Sequence, residues 1–344
     1  MLTGRNRARL IVGGLLALLL LYFFFRGVDG RALGAALASA HPGWLSGILV
    51  SAAITYVLRA WRWGALLLPL APVPLGRLVR VTVVGFMSGL FIPRASEIVR
   101  PLLVARSHGI KTSAGFATVV LERVVDLITV LTLFFVYLYV LPLPAQQRPE
   151  PLPLLKAAGM GAAGLAGTAL VVLAAFHFQA ERALRLIDRV LGWLPARIGA
   201  ALGQMARSFS HGLLVLQAPL SRWLLIGAQS MLLWLAIALG IHCASHAFGL
   251  ALPFRATFLI LGFLTVGVSI PTPGMVGGFH EAYLIALTAG FGADRNLAAA
   301  AGITLHAVTN IPVLVVGLLW LSGEGLTLGK VQEMTDDDDR EDPR

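Results

Sequence analysis

The chain has 344 residues, 57% of them hydrophobic and only 13% charged, with a mean hydropathy of +0.82. A soluble domain carries about 25% charged residues, so the composition excludes a soluble globular protein and predicts an all-α polytopic membrane protein. The net charge of +10 reflects arginine gathered on one membrane side and is no nucleic-acid signal, and the single cysteine, Cys243, excludes a disulfide framework or a cysteine-based metal cluster.

Arg5, Arg7 and Arg9 precede the apolar run Leu10–Phe25. No small-x-small cleavage site follows, so the run reads as a retained first span with a cytoplasmic N-terminus. A short loop with Arg26, Asp29 and Arg31 leads to a returning span, Trp44–Leu68, which carries Arg59, Trp61, Arg62 and Trp63 near its cytoplasmic end. Arginines beside tryptophans at a span's end read as snorkelling to the interface, or as contact with lipid headgroups there. Beyond the Pro-rich, basic stretch 69–80, the apolar run Val81–Ile92 is too short to span. It stops at Pro93-Arg94-Ala95-Ser96-Glu97 and resumes as Ile98–Ala105. Ala114–Leu141 is a full outward span that contains Glu122, Arg123 and Asp126. A Pro-rich loop, 142–153, precedes Leu154–Phe178, which returns inward. Residues 179–222 place Leu184, Ile187, Leu191 and Leu194 at helical spacing among arginines, the pattern of amphipathic helices on the cytoplasmic face.

Trp223–Cys243 leads outward to a second interruption. Residues 271–281 read Pro-Thr-Pro-Gly-Met-Val-Gly-Gly-Phe-His-Glu, between the apolar runs Thr257–Ile270 and Ala282–Gly290. At about 1.5 Å per residue these flanks reach roughly 21 and 14 Å, against a hydrocarbon core of about 30 Å. The prolines cannot continue a helix and the glycines allow the chain to turn, so a re-entrant hairpin is predicted. Leu297–Leu321 then returns inward. The acidic end, Glu333, Asp336–Asp339, Glu341 and Asp342, reads as a solvated, disordered tail rather than a metal site.

These elements amount to six full transmembrane helices plus two re-entrant helical hairpins in one domain, 1–322, followed by the tail 323–344. Its halves, about 8–141 and 154–322, hold the same four elements in opposite orientation. That is the pattern of an inverted-topology repeat with a binding site between the halves. Lys and Arg exceed in the segments assigned to the cytoplasm, including Arg77, Arg80, Arg106 and Lys111, which sets the orientation and places both termini there.

A carboxylate at bilayer depth costs about 2.5–3.5 kcal/mol on insertion scales and persists only by pairing or by function. Glu97 and Arg100, three apart, can pair along one helix, while Arg94 can fork onto an anionic phosphate. Glu122 and Asp126 share a face and repel unless Arg123 or an arginine of the first hairpin sits between them. At the second break, Thr272, Pro273, Gly274, Gly277 and Gly278 shape the turn. There His280 and Glu281 are either a titratable site or, for Glu281, a cap on the following helix. His306 and Asn310 either face the cavity or bond to another helix. No nucleophile elbow, phosphate loop or zinc-protease motif occurs, so the sequence points to no enzyme, cofactor or metal.

The runs Arg-Ala-Trp-Arg-Trp (59–63), Ile-Pro-Arg-Ala-Ser-Glu-Ile-Val-Arg-Pro-Leu (92–102), Leu-Glu-Arg-Val-Val-Asp-Leu (121–127) and the motif at 271–281 resemble the lysylphosphatidylglycerol synthase transmembrane domain family, the flippase-like domain proteins, over about residues 8–322. Ser96 stands where members often carry Gly, and Gly274 is followed by Met275-Val276 where many carry Pro-Gly-Gly. The resemblance implies a bacterial or archaeal inner-membrane protein that moves a lipid headgroup, without the soluble aminoacyltransferase domain of some relatives. The reading is a transporter of an anionic or headgroup-modified lipid. The alternatives are a small-solute or ion transporter on the same hairpins, or a non-transporting subunit partnering a lipid-modifying enzyme.

Overall fold

The computed structural model describes residues 4–140 and 218–323, with scattered positions between 160 and 171. The expected span 154–178, most of the amphipathic segment 179–222 and the acidic tail lie outside the described residues. The rest is all helical. The helices are α1 (Gly4–Phe25), α2 (Gly30–Ala38), α3 (Pro42–Leu67), α4 (Leu75–Phe91), α5 (Ala95–His108) and α6 (Thr112–Phe135), the last running into a π-helical turn, Val136–Val140. After the undescribed stretch come α7 (Leu220–Ala247), α8 (Ala256–Ser269), a 3-10 turn at Pro273–Met275, α9 (Gly278–Phe291) and α10 (Arg295–Gly323). Three of these, over Pro42–Leu67, Leu220–Ala247 and Arg295–Leu321, are long and apolar enough to cross a membrane; Gly14–Phe25 and Ala256–Ser269 are shorter apolar helices.

Two boundaries differ from the sequence reading. Residues 30–38 form a helix, not a loop, because the Asp29 carboxylate caps it, accepting from Arg31 N at 2.7 Å and Ala32 N at 3.1 Å. Helix α4 starts at Leu75 rather than Val81, since the backbone stays helical through the polar Arg77–Arg80 turn even though the apolar run has not begun.

Helices α3 and α7 pack antiparallel at the centre. Ser51 Oγ donates to Ala236 O, Arg62 reaches Ser230, and the rings of Trp44 and His246 lie 5.0 Å apart, so the pairs run in opposite order along the two helices. Gly47 and Gly240 make room, since a Cβ on either would strike Cys243 Sγ or Ser51 Oγ within 3 Å. Small residues at such a crossing let dispersion act between helices that lipid would otherwise separate.

Two apolar cores flank this centre. One gathers Ala60–Leu67 of α3, the α4/α5 hairpin, the start of α6, Ile226 and the end of α10 at Leu321. The other gathers Ile48, the end of α6 at Leu133–Tyr137, the far end of α7 and the α8/α9 hairpin. The hairpins therefore open at opposite ends of the bundle and meet tip to tip: Arg94 Nη2 donates to Ser269 O at 3.4 Å, and Gly274 lies against the Leu90 backbone. Both breaks start Ile-Pro, with Ile92 and Ile270 extended as a residue before proline must be.

Within the second hairpin, Gly267 and Gly278 touch backbone to backbone, and a Cβ on Gly267 would strike the Gly278 carbonyl and Ala282. Gly267→Ala is expected to lower stability by about 1–3 kcal/mol. Gly227→Ala, at a helix position with open space around it, should be neutral or slightly stabilising. Thermal unfolding of the purified protein in detergent checks both.

Candidate functional site

Near the junction of the two cores the central helices carry polar side chains. Helix α3 contributes Arg59 and Arg62, α6 contributes Glu122, Arg123 and Asp126, α7 contributes Gln229 and Ser230, and α10 contributes His306 and Asn310. Glu122 is fully buried and is the hub. Its Oε1 accepts from Arg62 Nη2 at 3.1 Å and from Arg123 Nη2 at 3.0 Å, and its Oε2 accepts from Arg100 Nη2 at 2.9 Å. Asp126 Oδ1 accepts from Arg62 Nη1 at 2.6 Å and from Trp234 Nε1 at 2.9 Å, while its Oδ2 lies 3.3 Å from Arg123. Three guanidinium groups thus converge on two carboxylates, a surplus of one positive charge.

Aromatic rings and a glycine notch hold the arginines in place. The Arg100 guanidinium lies 4.3 Å over the Trp63 ring, and Trp63 is itself fixed by its Nε1 donating to Thr118 Oγ1 at 3.0 Å. A cation over an indole face is attracted to the ring's negative quadrupole, more so when both are dry. The stem of Arg100 crosses α4 at Gly85, where any Cβ would collide with it. Arg59 lies 5.0 Å over Phe86.

The structure relocates several residues expected from sequence. Arg62 is not interfacial: it is fully buried, and its α-helical neighbour Trp61 is the exposed residue of the pair. The reason is Glu122 and Asp126, about sixty residues away in the chain, which compensate its charge better than a headgroup would. Arg100 pairs with Glu122 of α6 instead of Glu97 on its own helix. Glu122 and Asp126 share a face as expected, relieved by Arg123 and by Arg100 of the first hairpin, and additionally by Arg62. Arg94 sits at the first tip with its side chain exposed and φ +63°.

At the second break, Glu281 does not cap α9. Gly277 N instead donates to His280 Nδ1 at 3.4 Å, and Glu281 Oε2 is buried without a partner among the described residues. Thr272 is buried as well, and its hydroxyl lacks a partner there too. Pro273 and Gly274 form the 3-10 turn, while Gly277, at φ +85°, fits against Leu20 and Ala17 of α1 where a Cβ could not. Gly278 begins α9 against Gly267. His306 Nε2 donates to Gly274 O of the 3-10 turn at 2.8 Å rather than to another spanning helix, whereas Asn310 Nδ2 turns to His306 O of its own helix. Sequence reasoning placed Trp63 at the interface, whereas it is buried under Arg100, and it passed over Ser230 and Trp234, whose contribution depends on tertiary contacts that no local pattern reveals. Among the described residues no group of three metal-ligating side chains forms.

Removing one partner of a buried ion pair strands the other, at a cost of about 3–5 kcal/mol. Arg62→Met should therefore destabilise strongly, since it leaves Asp126 with one cation. Arg123→Gln should cost less, because the Arg123 side chain keeps 40% exposure and water screens it. Thermal unfolding in detergent, compared with Arg62→Met/Asp126→Leu to expose the coupling, measures the difference.

Compared with known protein families, residues 10–317 match the model described as the lysylphosphatidylglycerol synthase TM region. A comparison with curated proteins finds no match.

Proposed function

This chain belongs to the lysylphosphatidylglycerol synthase TM region family, and from that premise we propose that it carries a lipid with an anionic, phosphate-bearing headgroup across the bacterial or archaeal inner membrane. The observation that carries the reading is the charge surplus around Glu122. Arg62, Arg100 and Arg123 each also keep a buried Nε–H with no acceptor among the described residues. A purely structural network would balance its charges and its hydrogen bonds, because a buried unsatisfied donor costs about 1–3 kcal/mol. An acceptor-rich anion such as phosphate suits a donor surplus, and arginine's planar fork suits phosphate oxygens. In this reading Arg62, Arg100, Glu122 and Asp126 are the frame. Arg123, the accessible arginine, makes the headgroup contact, with Arg59, Arg94 and Glu97 beside the path. Acyl chains stay in lipid while the headgroup passes along the polar seam.

The two hairpins are re-entrant on this reading, and the halves form an inverted repeat. Helix boundaries support it: Ala95 answers to Gly278, His108 to Phe291 and Thr112 to Arg295 at one constant offset. The connecting turns use left-handed glycines at the same offset, Gly109 at φ +65° and Gly292 at φ +64°. Packing repeats too, with α4 on α10 as α8 is on α6, and α5 on α6 as α9 is on α10. Both termini then face the cytoplasm, and a separate lipid-modifying enzyme would supply the headgroup.

Headgroup scrambling in proteoliposomes, read from dithionite quenching of labelled phosphatidylglycerol, tests the proposal. Arg123→Gln should slow it at least tenfold, while Lys111→Gln, on the exposed turn before α6, should leave it unchanged. An Arg123→Gln rate equal to the parent's would overturn the assignment.

A further inference from the structure

The same offset that aligns the two halves sets Glu97 against His280 and Arg123 against His306. The His280 and His306 rings lie 4.6 Å apart. Resting on the transport reading above, we propose that the His280–His306 pair is a second anion site, equivalent in position to Arg123, which takes a phosphate group only together with a proton.

Hydrogen bonding assigns the ring protons. A carbonyl can only accept, so the His306 Nε2 that meets Gly274 O carries hydrogen and its Nδ1 is a bare lone pair. Gly277 N donates to His280 Nδ1, so His280 holds its proton on Nε2. The other nitrogen of each ring makes no hydrogen bond among the described residues, leaving one proton acceptor and one donor on two rings whose centroids lie 4.6 Å apart. A proton from water on His306 Nδ1 gives the pair two donors and a positive charge, which is what an anion needs. Proton and anion then promote each other's binding by the same factor. Arg123 differs because a guanidinium is charged at any working pH, whereas an imidazole gains and loses its charge near neutrality.

Few other groups bear on the pair. Of the elements packed against α9 and α10, α1 offers Tyr22, α8 offers none, α9 itself offers Glu281 and Tyr283, α10 itself offers Arg295, α2 offers Arg31, and α3 offers Tyr56, Arg59 and Arg62. The 3-10 turn, α4 beyond Arg80 and α7 between Arg222 and His242 offer no titratable side chain. Phe24 and Phe279 close the apolar side of the pair, with ring centroids 5.4 and 5.7 Å from His280. A headgroup held at Arg123 irrespective of pH would be released from the histidines as the proton leaves, which gives the passage a direction that a symmetric pair of arginines would not.

The test uses the purified full chain with dioctanoyl phosphatidylglycerol, and inorganic phosphate in a parallel series, at about pH 5.5 and 7.5. One linked proton tightens binding by at most about tenfold per pH unit. Arg123→Gln removes the pH-independent site, so it should bind less in total than the parent, and what remains should bind severalfold to a hundredfold tighter at the lower pH. His306→Gln can still donate to Gly274 O but cannot titrate, so it should bind equally at both. A flat ratio in Arg123→Gln, or a ratio in His306→Gln equal to the parent's, overturns the second site. An Arg123→Gln affinity equal to the parent's overturns the transport reading instead. The ratio appearing with phosphatidylglycerol, or with phosphate alone, supports the site and identifies whether a lipid or a free anion fills it.

Discussion

Glu122 ties three separate pieces of chain to one carboxylate. Arg62 comes from α3, Arg100 from the returning arm of the first hairpin, and Arg123 from α6 itself. An ionised group with no exposed surface in a dry interior loses several kcal/mol of hydration, and only close, well-aligned countercharges offset that. The geometry is therefore rigid in consequence: Gly85 must stay small for Arg100 to pass, Trp63 must face it, and Thr118 must hold Trp63. Charge-assisted bonds of this kind are roughly twice as strong as neutral ones, so the first hairpin is fastened through α5 to the centre of the bundle.

The second hairpin is fastened differently. Apart from the Arg94 guanidinium at Ser269 O, its contacts are neutral: the His306 bond to Gly274 O, the backbone approach of Gly267 to Gly278, and Gly277 fitted against α1. Where the first half places Arg100 and Glu122, the second places Tyr283 and Leu305 at the aligned positions, both buried in an apolar core. The first hairpin is thus held by charge-assisted bonds to Glu122 and the second mainly by neutral ones.

Much of this was legible in the sequence, and what was not has definite causes. Composition settles the class, and Ile-Pro at 92–93 and 270–271 settles both breaks, because proline has no amide to continue a helix and extends the residue before it. Glu122 and Asp126 on one face demanded a cation, and the demand named Arg123 and the first hairpin correctly. Arg62 escaped because its neighbours Trp61 and Trp63 look interfacial from either side; only the fold reveals that Trp61 faces out while Arg62 and Trp63 face in. Residues 30–38 read as a loop, and only the structure shows Asp29 capping a helix there. The N-terminus of α9 looked as though it needed Glu281, but an imidazole one residue earlier reaches the Gly277 amide first.

The breaks themselves explain why the polar seam lies where it does. Interrupting a helix frees carbonyls that cannot be left bare in a dry interior. The second break resolves this by drawing in two donors from elsewhere: Arg94 crosses from the first tip to Ser269 O, and His306 crosses from α10 to Gly274 O. Both tips also hold a non-glycine residue in the left-handed region, Arg94 at φ +63° and Met275 at φ +59°. That conformation costs about 1–2 kcal/mol in each case, a cost that glycine at either site would avoid. A chain that keeps arginine at such a position retains the guanidinium at the expense of the backbone. The tips thus bring donors, a cation and irregular backbone together.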